Sequence, residues 1–158
     1  EKGRLAVYKK ILVPVDGSET SRRGLQEAIG LALVDGSTLR LLHVLDDYPL
    51  LLESAAAPTA FEPVRREMRA QGEALLNEAL AATQQAGVQA KTVLREGAAL
   101  RVAQAIVHES TEAGCDLIVM GTHGRRGIDR LVVGSDAEAV IRTSNVPVLL
   151  VKATATQS

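Results

Sequence analysis

Aromatic side chains are nearly absent: they make up 2% of the 158 residues, and there is no tryptophan. The core must therefore be aliphatic, and a planar ligand would be held between aliphatic groups and backbone rather than between rings. Cysteine occurs once, at Cys115, so no intrachain disulfide can form. That fits a reducing compartment and leads us to expect a cytoplasmic protein. Cys115 precedes an apolar run, a place that suits a small buried hydrophobe better than a reactive thiol. An excess of one charge is also lacking, since the formal net charge is -1. Without a global basic field, nucleic acid is not an expected partner. No apolar run approaches the roughly 18–20 residues of a membrane span, so no membrane partner is expected. No secretory signal is legible in the opening "EKGRLAVYKK", which does not begin with Met. Residues 1–8 read as an N-terminal extension and residues 153–158 as a frayed tail.

What remains is ordinary globular composition, 46% hydrophobic and 23% charged, in a length that suits one domain, over residues 9–152. Strand-like and helix-like segments alternate. "ILVPV" (11–15), "LRLLHVL" (39–45), "AKTVL" (90–94), "LIVM" (117–120) and "PVLLV" (147–151) read as strands. Between them, Leu25, Ala28, Ile29, Ala32 and Leu33 recur at helical spacing. So do Val64, Met68, Leu75, Leu76, Ala79 and Leu80, with Gly87 as a stop, and then Ala99, Val102, Ala103, Ile106 and Val107. A last helix begins near Ser135. This alternation predicts an α/β fold: a single doubly wound domain with a five-stranded parallel sheet of order 3-2-1-4-5, flanked by about four helices. The fully apolar strands 11–15 and 117–120 belong near its centre. The Pro- and Ala-rich stretch 46–62 is too long for a tight turn. It reads as a partly ordered flap near a site, or a surface covered by a second chain, with Leu50, Leu51 and Leu52 not left fully exposed.

In that order strands one and four are neighbours whose connections leave in opposite directions, and ligands of open α/β sheets bind in the crevice this creates. Two polar segments fall there: "VDGS" with Asp16, and "GTHGRRGIDRLVVGS", which has four glycines and three arginines. Glycines let backbone N–H groups approach an anion, and a helix N-terminus beginning at Ser135 favours phosphate. Neither the P-loop spacing nor a Rossmann G-x-G-x-x-G is present. A structural reading stands beside this one: "SDAE" at 135–138 is a capping box with Ser135 as N-cap and Glu138 as its partner. Asp16 before Gly17 is likewise a common turn former. His43 inside a strand suits a satisfied core imidazole, while His123, Arg125 and Arg126 in the glycine loop can reach a phosphate or lie in solvent.

The spacing Gly121-x2-Gly124-x9-Gly134-Ser135 resembles the nucleotide-binding signature of the universal stress protein family. "KKILVPVDGSE", "LLHV", "DLIVMGTHGR" and "VPVLLVK" resemble that family's strands one, two, four and five, in the right order, over about residues 9 to 152. The resemblance implies an ATP site. Pro14, Val15 and Asp16 would meet the adenosine, with Asp16 accepting from ribose hydroxyls, and Val44 would face adenine through its backbone. Met120 lies beside the loop. Gly121, Gly124, Gly134 and Ser135 would hold the phosphates, with Mg or Mn assisting and with His123 and Arg125 of the same loop in reach. It also implies a regulatory protein of the stress response, a homodimer through strand 147–151, with weak ATPase activity at most.

One position departs from the family's pattern. After Ser135 the family usually has a small or apolar residue, and here Asp136 adds a carboxylate. That favours a second reading, a nucleotide-free dimeric scaffold of the same fold. A phosphoacceptor receiver domain fits poorly, because "VDGS" offers one acid and "VLREG" no aspartate.

Overall fold

The computed structural model describes residues 5, 7–47, 49–50, 52, 59, 61–96, 101–123 and 133–153. Strand β1 (Lys10–Pro14) carries Ile11, Leu12 and Val13, none of them exposed. A run buried on both faces can only sit inside a sheet covered on both sides. Gly17 turns the chain with φ +82°, and Ser18 caps helix α1 (Glu19–Asp35) by accepting from the Ser21 N–H. Gly36, at φ +74°, ends the helix and leads into β2 (Thr38–Leu45). Helix α2 (Phe61–Gln85) stops before Gly87 and is followed by β3 (Ala90–Glu96). Helix α3 (Val102–Glu112), β4 (Leu117–Gly121), α4 (Ser135–Thr143) and β5 (Val148–Val151) follow.

All pairings are parallel, and the five strands lie in the order β3-β2-β1-β4-β5, as the pattern of apolar runs predicts. One apolar cluster joins α1 and α2 to one sheet face through Leu25, Ala28, Leu76, Leu41 and Val119. The other joins α3 and α4 to the opposite face through Ile106, Val140, Leu12, Leu42 and Ile118. Cys115 is buried in this second cluster, and burial pushes its thiol up, so it packs rather than reacts.

Some residues assigned to apolar faces lie outside them. Leu33 and Val64 are exposed, because α1 and α2 already fill their faces with Ala28, Ile29 and Ala32, and with Leu76 and Ala79. In the long connection Leu52 is exposed in the single chain and Leu50 is half-buried. Leu51 and Ala99 lie outside the described residues.

Among the described residues two ionic groups tie helices to the sheet. Glu109 of α3 is fully buried and accepts from Arg40 Nε on β2 and Arg95 Nε on β3, each at 2.6 Å. Burial alone would raise its pKa. The hydrogen bonds from Arg95 and Arg40 outweigh that and hold the carboxyl below the usual glutamate range. On the other face Arg65 of α2 bridges Asp47, at 3.4 Å, and Glu96, at 2.8 Å, and Arg69 also reaches Glu96.

Candidate functional site

The C-terminal ends of β1, β2 and β4 open into a cavity of about 670 Å³. It spans the rim of the sheet, so both helical layers contribute to its wall. Pro14, Val15, Asp16, Val44, Met120, Gly121, His123, Gly134, Ser135 and Asp136 all line it. Residues chosen from three separate segments of the sequence therefore share one space. Gly124 and Arg125 lie outside the described residues.

The β1 end is tightly held. Val15 continues the strand by donating to the Leu42 carbonyl at 2.7 Å. Asp16 Oδ1 accepts from the Ser18 N–H at 2.8 Å, and the Asp16 N–H donates to Ser21 Oγ at 3.2 Å. The turn-forming role of Asp16 is thus real, yet among the described residues it engages only one carboxylate oxygen. Oδ2 accepts no hydrogen bond among the described residues.

The β4 end is pinned from beneath. Gly121 packs against the first turn of α1, where a Cβ would lie 2.3 Å from Thr20 Oγ1 and 2.8 Å from the Thr20 backbone carbon. The Thr20 hydroxyl donates to the His123 carbonyl, and Ser18 Oγ reaches the same oxygen at 3.4 Å. Gly121 is therefore required for close packing before any ligand is considered. The His123 ring meets the Thr122 hydroxyl through Nδ1 at 2.9 Å, and its Nε2 is buried without a hydrogen-bond partner among the described residues.

Helix α4 differs from the expected capping box. Its N-cap is Gly134, with no side-chain cap, and Ser135 is the first helical residue. Glu138 pairs with Arg142 at 2.5 Å instead of reaching back. An i,i+4 partner on the exposed face competes for the carboxylate, and Gly134 offers no hydroxyl to cap with. The α4 N-terminus thus faces the cavity with its Ser135 hydroxyl uncommitted to capping.

Part of the wall was not legible in advance. Met68, Gln71 and Leu75 of α2, the α3 N-cap Arg101, and Val102 and Ile106 of α3 also line the cavity. Nothing local marks them, because their arrival at the rim depends on where each helix crosses the sheet. Among the described residues no group of three or more His, Cys, Asp or Glu side chains is placed to hold a metal.

The profile of the universal stress protein family matches residues 7–152. The chain belongs to that family. Universal stress protein MJ0531 of Methanocaldococcus jannaschii is 33% identical over 146 residues, spanning 92% of this chain and 83% of the relative. Universal stress protein YxiE of Bacillus subtilis is 31% identical over 151 residues, spanning 92% of this chain and all of its own. The solved structure of the hypothetical protein MJ0577 superposes with a TM-score of 0.80 at 27% identity, covering 94% of this chain and 99% of that one. Family membership agrees with the strand order and with a rim cavity assembled from the signature segments.

Proposed function

We propose that this universal stress protein is an ATP-binding regulatory protein acting in the stress response as a dimer, with little or no hydrolysis. The observation that carries the reading is the convergence of the β1 end, Val44 and the α4 N-terminus on one cavity. In this reading Asp16 Oδ2 accepts from ribose hydroxyls and the Val44 backbone meets adenine. The N–H groups after Gly134 and the Ser135 hydroxyl meet phosphates, joined by Gly124 of the signature and Arg125 of the same loop. A divalent ion enters with the phosphates and offsets their charge. Structures of this fold in complex with cAMP, and with dAMP in the Archaeoglobus fulgidus protein, share 24% and 23% identity, a likeness of fold that accords with the reading. Calorimetry with magnesium present is expected to show tighter binding of ATP than of GTP. Equal affinities would remove the adenine assignment, and no heat from either nucleotide would remove the ATP reading.

The dimer reading rests on the two sheet edges. The β3 edge carries exposed Lys91 and Arg95, charges that discourage strand pairing. The β5 edge, "VLLV", carries none, and Leu149 is 39% exposed with Ile141 of α4 also exposed. Pairing β5 with its copy across a two-fold axis removes that liability. Light scattering is expected to give a dimer at micromolar concentration and a monomer for Leu149→Lys. A wild-type monomer would refute the assignment.

Asp136 supports the second reading, the nucleotide-free scaffold, because it lines the cavity beside Ser135. At roughly 5 Å and an effective dielectric near 20, a carboxylate and a phosphate charge repel by about 3 kcal/mol, which solvent and a divalent ion reduce. Its attraction to its own helix N-terminus is smaller, about 0.3–1 kcal/mol. Asp136→Val is therefore expected to tighten ATP binding several-fold in calorimetry and to lower the ligand-free melting temperature slightly. Weaker binding would show instead that the carboxylate assists the ligand.

A further inference from the structure

We propose that His43 is a positioning residue that keeps the Val44 backbone N–H open to the base of a bound nucleotide. The choice of ligand rests on the reading above; the geometry rests on the sheet alone. Successive residues of a parallel strand address opposite neighbours. Thr38 donates to Lys9 on the β1 side, Leu39 donates to Gln89 on the β3 side, and Leu42 accepts from Val15. Even-numbered residues of β2 therefore turn toward β1, and Val44 is the next of them. The acceptor that would extend the ladder to Val44 is the Val15 carbonyl.

That carbonyl is held by His43 Nδ1 at 2.6 Å. A carbonyl oxygen only accepts, so Nδ1 carries the proton. The β1–β2 pairing ends at Pro14 and Leu42, and Val44 stands in the cavity wall one step beyond it. The ring is kept in place by a gap in α2. At Gly72 a Cβ would lie 2.5 Å from His43 Cδ2 and 3.0 Å from Nε2, so only glycine lets the imidazole stand there. His43 acts through Val15: its ring N–H holds the carbonyl that is the ladder acceptor for Val44, and among the described residues no backbone bond joins the Val44 N–H to that carbonyl. An open edge N–H beside an apolar wall, with Met120 and Ile106 close by, suits the hydrogen-bond-accepting edge of a purine.

The test is amide hydrogen exchange at Val44 in nucleotide-free protein, with ATP calorimetry, on wild type, His43→Leu and His43→Asn. In wild type the Val44 amide is expected to exchange as an open group. In His43→Leu it is expected to become protected as the ladder closes, with ATP affinity falling about five- to ten-fold, the worth of one hydrogen bond. His43→Asn, whose amide can donate to the same carbonyl, is expected to keep the Val44 amide open and the affinity within about two-fold of wild type. Gly72→Ala, which displaces the ring without removing it, should protect Val44 as His43→Leu does, and serves if His43→Leu does not fold. A Val44 amide equally open in wild type and in the folded ring-displaced variants overturns the proposal, even where affinity falls. A wild type that binds no adenine nucleotide defeats the ATP reading, while the exchange comparison still decides the role of His43.

Discussion

Glu109→Ala is expected to lower the unfolding free energy by about 3 kcal/mol, read as a shift of the urea midpoint with an unchanged slope. The carboxylate is fully buried and serves two guanidinium groups, so its removal leaves both without their shared acceptor. The cost falls at the low end of the about 3–5 kcal/mol typical of a broken buried pair, because Arg95 is 49% exposed and can turn to water. Acid dependence provides a second check. The folded-state pKa of Glu109 lies below its unfolded value, so its stabilising contribution is full above the ordinary glutamate range. That contribution is lost as pH falls through the depressed folded value. The difference in stability between wild type and Glu109→Gln should therefore shrink as the pH is lowered from neutral into that range. A constant difference would show that packing, not charge, accounts for the loss.

Gly121→Ala is expected to damage both fold and site. The new methyl group would meet Thr20 Oγ1 at 2.3 Å and the Thr20 backbone at 2.8 Å, so the first turn of α1 must move. Overpacking of this kind costs about 1–3 kcal/mol. The same turn holds the His123 carbonyl through Thr20 and Ser18, so displacing it also releases the root of the glycine loop. ATP affinity is expected to fall at least about ten-fold, beyond the loss of stability. Adding Thr20→Ala should recover part of the stability, since it removes the Oγ1 clash but leaves those with the Thr20 Cβ, at 2.7 Å, and with the backbone, and little of the affinity. Gly24→Ala is the control: its Cβ would meet β4 at an ordinary 3.5 Å, and it should be tolerated.

The strand order and the rim position of the site were legible because they rest on local patterns. Ile11–Val13 and Leu117–Met120 are apolar at every position because helices cover both sheet faces, and that burial fixes them near the centre. The family resemblance singled out Asp16, Val44 and Ser135, and they line one cavity because Asp16 follows β1, Val44 lies near the end of β2 and Ser135 opens the helix after β4, all on the same rim. What was missed depends on tertiary approach. The capping box at Ser135 has the right residues, but Arg142 took Glu138 and Gly134 became the cap. Gly121 reads as a phosphate-loop glycine, whereas its first constraint is Thr20, about a hundred residues away in sequence. The fit of His43 to Gly72 is similarly nonlocal: an isolated histidine in a strand and a glycine in a helix each look unremarkable until the helix lies over the strand.

The rim cavity also has a mechanical consequence. The two apolar clusters sit on opposite faces and communicate through the sheet, but at the rim Met68 and Leu75 of one layer and Ile106 and Ala137 of the other border the same space. A ligand seated there acts as a rivet through both layers. Its binding free energy, RT ln(1 + [L]/Kd), accrues only while both layers are in place. Saturation should therefore merge them into one cooperative unit, and ligand release should let either half breathe alone. For a regulatory protein of the kind proposed above, that gain and loss of shared rigidity would itself be a signal.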